Sequence, residues 1–255
     1  MKKILVLLFI MAVSTSQLRA QQYLTAGLGY SAAFFRSEDL SLFKKTYNSV
    51  QASYMSRPLQ GFWGALGIRG QITYRKFDYW NLAIHFGYQS FENQDASHFW
   101  DGYVREMRIQ MKSVFFEFEY GRRFRNYFVN GVTTLYYRRR VSLESAYNGP
   151  VINLLDGKYN GFVPLAADVG IAVGMYKNPL FLVCKITYPL LTMGKSVALR
   201  DDSIEKLRQE AYLFPSDYEA YFLHQAYQGI SSNIDGLKIL FTAEFAFRLT
   251  KGRRR

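Results

Sequence analysis

Eight segments of this chain alternate large apolar residues with small or polar ones. In residues 79–91, YWNLAIHFGYQSF, every second residue from Trp80 to Tyr88 is large and apolar, and the residues between them include Asn81 and His85. Successive side chains of a strand point to opposite faces, so this segment predicts a strand with one apolar face and one small or polar face. Eight such segments predict an all-β fold.

The predicted strands follow one another along the chain after its first 20 residues. The clearest occupy residues 62–74, 79–91, 163–175, 180–190 and 237–249, and weaker ones occupy residues 23–34 and 127–141.

The remaining segment changes phase within itself. Met107, Ile109 and Met111 share one parity, whereas the apolar residues from Val114 to Tyr120 share the other. A bulge near residues 112–113 would bring both sets onto one apolar face, because one extra residue reverses the parity of a strand. Without that bulge, the segment forms two shorter strands.

Short and long connections alternate along the chain. The short ones are residues 75–78, 121–126 and 176–179, and the long ones are residues 35–61, 91–104, 142–162 and 191–236. Barrels of the outer membrane have tight turns at the periplasmic end and long loops outside, whereas a soluble eight-stranded barrel has no reason to sort its connections. The alternation therefore predicts that the apolar faces point outward to lipid and the small or polar faces point into the lumen.

Aromatic residues mark both ends of these strands, in a chain that contains 20 Tyr and 21 Phe. One set lies near the short turns and the other near the opposite rim: Tyr74, Trp80, Tyr120 and Tyr127, then Tyr30, Phe62, Tyr88, Tyr137 and Tyr188. Amphipathic rings favour the two headgroup zones of a bilayer, so two such levels predict a membrane between them.

In these strands, connections and aromatic levels the chain resembles the small eight-stranded outer-membrane β-barrel proteins of bacteria. Its Tyr- and Phe-rich composition is most like that of uncharacterised members from Bacteroidota. The resemblance covers nearly all of residues 21–255. It implies an eight-stranded antiparallel up-and-down transmembrane β-barrel with long extracellular loops that carry short helices.

The first 20 residues have the order of a secretory signal peptide. Two lysines precede an apolar run over residues 4–13, and the segment ends in Ala20. The run is too short to cross a bilayer as a helix, although a retained anchor is the alternative. We expect residues 21–255 to form one barrel domain in the outer membrane of a Gram-negative cell.

Removal of the segment lowers the formal net charge from +12 to about +9. The expected partners of such an exported basic protein are membrane lipids, a surface polymer or a protein, and not nucleic acid.

The lumen of an eight-stranded barrel is just wide enough to be filled by side chains. The predicted inward ionisable residues are Arg69, His85, Arg108, Lys112, Glu117, Glu119, Arg138, Arg140, Asp168, Lys185, Lys238, Glu244 and Arg248. Counted from the turns, Arg69, Glu117, Lys185 and Glu244 fall at similar depth, and we predict that they form one hydrogen-bonded network, with His85 and Asp168 in the same lumen. A polar core is one interpretation of this network, and a proton or ion path is the other.

Catalysis in this architecture is known from barrels that modify lipid A or phospholipid acyl chains with His, Ser and an acid. The histidines of this chain are His85, His98 and His224, and Ser97 and Asp101 lie near His98 in sequence. Nucleophile, base and acid must meet in space, and neighbouring positions in a loop do not bring this about. No cluster has metal-ligand spacing and no glycine loop follows a strand to hold a phosphate. We therefore predict no catalytic residue, metal or cofactor.

The longest connection, residues 191–236, contains two capping boxes, the second formed by Ser216 and Glu219, and thus predicts two short helices. Another helix is predicted around residues 40–47. The aromatic residues of the longest connection predict a lid over the barrel mouth or a contact surface: Tyr212, Phe214, Tyr218, Tyr221 and Phe222.

The predicted function is that of a non-enzymatic outer-membrane protein, either structural or binding a partner through this aromatic loop cap. The alternatives are an outer-membrane lipid-modifying enzyme and a barrel subunit of a secretion or transfer assembly.

Overall fold

The structure is a computed structural model that describes residues 21–150, 156–193, 200–201 and 235–249. Helix α1 spans Glu38–Val50. The strands are β1 Gln21–Arg36, β2 Met55–Arg57, β3 Ala65–Phe77, β4 Trp80–Phe99, β5 Val104–Phe124, β6 Tyr127–Tyr147, β7 Gly157–Lys177, β8 Leu180–Met193, β9 Arg200–Asp201 and β10 Asp235–Arg248. None of the helical structure within the described ranges has the length and hydropathy needed to cross a membrane.

Eight of these strands close into an antiparallel barrel. The order around the ring is β1, β3, β4, β5, β6, β7, β8, β10 and back to β1, with hydrogen bonds between all neighbours. The short β2 pairs with β4, and the short β9 pairs with β7. The predicted all-β, eight-stranded, up-and-down architecture is confirmed.

The two ends of the barrel differ as the connections predict, but with two corrections. The lower end has three two-residue turns, at residues 78–79, 125–126 and 178–179. At the upper end, the predicted long loop 91–104 is mostly strand, because β4 and β5 extend until only residues 100–103 join them. The predicted loop 142–162 likewise shrinks to residues 148–156.

Four neighbouring strands therefore rise above the rest of the barrel. β4 to β7 contain 20–21 residues each, whereas β3, β8 and β10 contain 13 or 14. We call the upper parts of β4 to β7 the raised wall.

The outer face below the raised wall is apolar. Its exposed side chains include Leu28, Ile68, Ile72, Phe86, Phe116, Leu135, Ile171, Ile186 and Phe241. In β4, Trp80, Phe86 and Tyr88 point outward and His85 is buried, which confirms the predicted faces of this strand. The predicted outward placement of Phe62 and Val163 is wrong: Phe62 lies before the start of β3 and is buried, and Val163 is buried in β7.

The bulge predicted in β5 is absent from that strand. Its inward residues alternate without interruption from Arg105 to Glu119, so Met107, Ile109 and Met111 lie inside the barrel. They belong to the raised wall, where the outer face meets water and the apolar residues turn inward as in a soluble sheet. The change of parity that the sequence displays is therefore a change of environment along one regular strand.

A bulge does occur in the neighbouring strand β6. Lys112 pairs with Arg140 and Val114 pairs with Tyr137, so β6 contains one extra residue between these pairs. That residue is Arg138, which has a φ of 51°. The bulge reverses the parity of β6 and turns the intervening Arg139 inward.

Apolar side chains close the interior at both ends. The lower cluster consists of Tyr23, Phe77, Phe128, Val132, Ala172, Phe181, Val183 and Ala246. Its aromatic rings meet edge to face, with the Phe77 centroid 5.3 Å from that of Phe181 and 5.9 Å from that of Phe128. The upper cluster contains Met107, Ile109 and Met111 together with residues of the first connection.

Helix α1 contributes to this upper cluster. The predicted helix around residues 40–47 is confirmed, and the side chain of Ser37 caps it by accepting a hydrogen bond from the Leu40 amide at 3.3 Å. Leu40 and Tyr47 are buried against the inner face of the raised wall, where the Tyr47 hydroxyl lies 3.1 Å from Ser97 Oγ. The first connection therefore plugs the barrel mouth.

Candidate functional site

A layer of ionisable side chains lies between the two apolar clusters. Seven residues of five strands form it, and every one is buried: Arg69 and Arg75 of β3, His85 of β4, Glu117 and Glu119 of β5, Lys185 of β8 and Glu244 of β10. Residues two apart in a strand share a face, which is why both carboxylates of β5 enter the lumen. We call these seven residues the charged layer.

Lys185 lies at the centre of the charged layer. Its Nζ is 2.5 Å from Glu117 Oε1 and 2.6 Å from Glu119 Oε1. Arg69 Nη2 contacts Glu117 Oε1 at 2.8 Å from the other side. The second oxygen of each carboxylate accepts a hydrogen bond from a neutral donor. Thr134 Oγ1 donates to Glu117 Oε2 at 2.7 Å, and Asn130 Nδ2 donates to Glu119 Oε2 at 2.8 Å.

Arg75 links this centre to the third carboxylate. Its guanidinium lies 3.4 Å from Glu119 Oε2 and 3.5 Å from Glu244 Oε1. Glu244 also accepts hydrogen bonds from Thr25 Oγ1 and Gln71 Nε2, each at 2.7 Å. The network thus joins strands on opposite sides of the ring.

His85 lies between the two halves of the network. Its Nε2 is 2.9 Å from Glu119 Oε1, and its Nδ1 is 2.8 Å from the Thr73 hydroxyl. Both ring nitrogens therefore face polar groups, and no part of the ring is exposed. The ring lies in a layer that has one apolar cluster above it and one below it.

The charged layer is balanced in formal charge. Three carboxylates meet two guanidinium groups and one ammonium group, so the formal charges of these six residues sum to zero. Buried charges are tolerated only when they are paired and hydrogen-bonded, so this equality is what a sealed interior requires.

Aromatic rings separate the charged layer from the apolar clusters. The Arg69 guanidinium lies 3.6 Å from the centroid of Phe115 in the upper cluster. The Arg75 guanidinium lies 4.9 Å from the centroids of both Phe128 and Phe181 in the lower cluster. These cation–π contacts place a ring above and below the ion pairs.

Three of these residues have the composition of a metal site. His85, Glu117 and Glu119 offer ligand atoms that lie within 4.8 Å of one another. The ammonium of Lys185 stands between the two carboxylates, at the position that a cation would need to contact both. A metal ion would have to displace this lysine from a fully buried ion pair.

The structure brings five of the six predicted network residues together. Arg69, His85, Glu117, Lys185 and Glu244 are in the charged layer, whereas Asp168 lies apart in a buried pair with Lys238, at 2.6 Å. The Lys238 ammonium is also 4.9 Å from the centroid of Tyr136. This second pair is neutral in sum.

Several predicted inward residues point outward instead. They are Arg108, Lys112, Arg138, Arg140 and Arg248, all of which are exposed. The β5 residues were assigned to the lumen through the bulge that this strand does not contain, and the β6 residues change sides at the bulge that β6 does contain. Conversely, Arg75, Arg105 and Arg139 are buried and were not predicted. Extending the parity of Arg69 through Gln71 and Thr73 would have found Arg75.

Arg105 holds the top of the raised wall together. Its Nη1 donates to Ser145 Oγ and to Asp156 Oδ1, both at 2.8 Å. Its guanidinium also lies 5.3 Å from the centroid of Tyr147. It stabilises the contact between β5, β6 and the connection that leads to β7.

The structure separates the sequence candidates for catalysis. Ser97 is buried and contacts Tyr47, whereas His98 is the next residue of the strand and so points to the opposite face. Asp101 lies in the exposed turn beyond β4, where its carboxylate accepts a hydrogen bond from the Tyr103 amide at 3.2 Å. His224 and the five aromatic residues predicted as a contact surface, Tyr212, Phe214, Tyr218, Tyr221 and Phe222, lie outside the described residues, as do residues 1–20.

No protein-family model matches the chain, and no curated protein matches it either. Among solved structures, the chain is similar to Ail, the attachment invasion locus protein of Yersinia pestis, whose structure was determined in complex with the heparin analogue sucrose octasulfate. The TM-score is 0.38 and the sequence identity is 8%, over 90% of this chain and 100% of the Ail chain.

Proposed function

We propose that this chain is a barrel of the bacterial outer membrane that does not conduct and that acts at the cell surface as a structural or binding protein. The observation that carries the proposal is the reversed polarity of the barrel below the raised wall. There the outer face presents Leu28, Ile68 and Phe116, while Glu117 and Lys185 are buried inside. A sheet in water has the opposite arrangement, and a barrel in lipid has this one.

The filled lumen supports a role other than transport. The charged layer lies between two apolar clusters, and its ion pairs span the ring from β3 and β5 to β8 and β10. An ion crossing this interior would have to separate buried pairs, which is costly. We therefore expect the surface at the upper end to carry the function.

Three measurements test membrane insertion and closure. A folded barrel is expected to migrate differently on a gel before and after heating, and to resist extraction from membranes by alkaline carbonate. In a planar bilayer it is expected to give no ohmic conductance. A mature chain that stays soluble without detergent would refute the insertion, and stable open-channel currents would refute the closure.

The binding role is proposed for the longest connection. Its aromatic residues are more numerous than one solvated helix face needs, and such residues are enriched in binding surfaces: Tyr212, Phe214, Tyr218, Tyr221 and Phe222. Crosslinking in intact cells, followed by identification of the partners, tests this role. Replacement of these five residues by serine should abolish the crosslinks and leave heat-modifiable migration unchanged. Crosslinks that persist in this variant would rule the loop out.

A further inference from the structure

Three cations lie side by side on the outer face of β5 and β6. Lys112 and Arg140 are directly paired across the two strands, and Arg138 precedes Arg140 by two residues at the bulge. All three side chains are exposed. We call Lys112, Arg138 and Arg140 the basic row.

The basic row marks the border between the apolar belt and the raised wall. The pairs immediately below it on the outer face are Tyr88 with Val114 and Val114 with Tyr137. The pairs above it are polar or charged: Glu92 with Gln110, Gln110 with Ser142, and Arg108 with Glu144. In a membrane-inserted barrel this border is the level of the lipid headgroups.

The bulge in β6 is what assembles the basic row. Arg138 adopts a left-handed backbone, which is strained for a residue with a Cβ. It turns Arg138 and Arg140 to the outer face, whereas uninterrupted alternation from the outward Tyr137 would have placed both of them inside. The Arg138 guanidinium lies 5.3 Å from the centroid of Tyr137, at the top of the apolar belt.

The basic row lacks a described counter-ion within ion-pair distance. Two acids of the raised wall, Glu92 and Glu144, are bound by Arg108 at 2.6 Å and Lys158 at 2.5 Å, and Glu144 interacts with Lys112 only through longer-range electrostatics. Lys112 and Arg140 lie directly opposite each other on neighbouring strands. Like charges in such a position destabilise the strand pair. An anion that contacts both would remove this repulsion.

The apolar and cationic surfaces together point to one class of ligand. We propose that the basic row binds the phosphate of a membrane lipid headgroup, with the acyl chains of that lipid lying on the belt below Tyr88 and Tyr137. Guanidinium groups bind phosphate oxygens through paired hydrogen bonds, and an ammonium adds a point charge. The corresponding outward positions of β3 are Leu66 and Ile68, so the row of cations does not extend to that strand. This inference rests on the proposed membrane insertion.

Native mass spectrometry of the full mature chain in detergent tests the site. Dimyristoyl phosphatidate is offered together with dimyristoyl phosphatidylcholine, and the parent protein should retain the phosphatidate. The variant Lys112→Gln with Arg140→Gln keeps Arg138 and its bulge. It should retain at least about tenfold less phosphatidate, because each cation near an anionic surface contributes roughly a factor of five. The matched control, Arg108→Gln with Lys158→Gln, removes the same charge from paired cations and should bind like the parent.

Three results would overturn the proposal. Equal losses in both double variants would mean that total charge and not the basic row attracts the lipid, and no loss in either would mean that the row does not bind it. Displacement of phosphatidate by inorganic phosphate at equal concentration would assign the site to a free anion. Heat-modifiable migration and carbonate resistance are measured on every variant. A parent protein that fails these assays refutes the insertion itself, whereas an inserted protein without lipid preference refutes only the basic row as a site.

Discussion

Replacement of Lys185 by Met tests whether the lumen is sealed. The ammonium contacts Glu117 at 2.5 Å and Glu119 at 2.6 Å, and all three side chains are fully buried. Methionine preserves most of the volume and removes the charge, so two neighbouring carboxylates lose their shared partner. Breaking a buried ion pair on one side costs about 3–5 kcal/mol in general, and we expect the free energy of unfolding to fall by that amount.

The raised wall supplies a matched control. Lys158 contacts Glu144 at the same distance of 2.5 Å, but both side chains of this pair are about half exposed, at 58% and 44%. An exposed pair contributes between nothing and about 1 kcal/mol, so Lys158→Met should change the free energy of unfolding by no more than that. Equal distance and unequal burial isolate burial as the cause of the difference.

A second variant tests the charge balance. Lys185→Met combined with Glu119→Gln removes one charge of each sign, and we expect it to be more stable than the sum of its single variants predicts. Coupling between contacting residues is about 0.5–3 kcal/mol in general. Urea unfolding of each variant in lipid vesicles, followed by tryptophan fluorescence and by gel migration, measures these values. If Lys185→Met and Lys158→Met unfold at the same urea concentration, water reaches the lumen and the argument for a sealed charged layer is wrong.

Three further predictions concern single positions. Gly87→Ala would place a Cβ 2.2 Å from a neighbouring carbonyl oxygen and should cost about 1–3 kcal/mol, whereas Gly131→Ala meets only an oxygen at 3.8 Å and should be neutral in the same urea assay. Arg138→Gly should preserve stability or increase it, because glycine accepts the left-handed backbone, and Arg138→Val should destabilise the barrel by at least about 1 kcal/mol; equal stability of the two variants would contradict the bulge. The hydrogen bond from Lys158 holds the pKa of Glu144 below its ordinary value, so the pair is intact above the usual glutamate range and is lost as the pH falls through the lowered pKa. Lys158→Met should raise that pKa in a carbon-13 NMR titration, and an unchanged titration would exclude the contact.

The parity of the strands predicts most of the barrel wall. Alternation places the outward and inward residues of β4 correctly, and it correctly keeps both Glu117 and Glu119 inside. It says nothing about the partner of each charge, because partners come from strands far apart in the chain. The pairing of Asp168 with Lys238, apart from the other predicted residues, depends on the register between strands and not on depth counted from a turn.

The errors in β5 and β6 arise at the same level, where the strands leave the apolar belt. The sequence prediction keeps the apolar faces outward along the full length of every strand, and the bulge near residues 112–113 follows from that condition. The strand instead leaves the apolar belt at Lys112, and above it Met107, Ile109 and Met111 turn inward. Within β6, the sequence gives no sign of the bulge, because residues 138–140 are all arginine and alternation does not distinguish the extra one.

Because the apolar residues turn inward above Lys112, the proposed surface protein presents a raised wall of rigid strands above the apolar belt. A flexible loop pays the entropy of becoming ordered when it binds. The raised wall avoids that cost, because its strands stay hydrogen-bonded to one another above the apolar belt. Helix α1, Leu59 and Phe62 also pack against the inner face of the wall. The basic row lies at the foot of this wall, where a bound lipid phosphate would fix its height above the membrane. A binding surface at the top of the wall would then be held at a constant distance and orientation from the cell, whatever the longest connection adds to it.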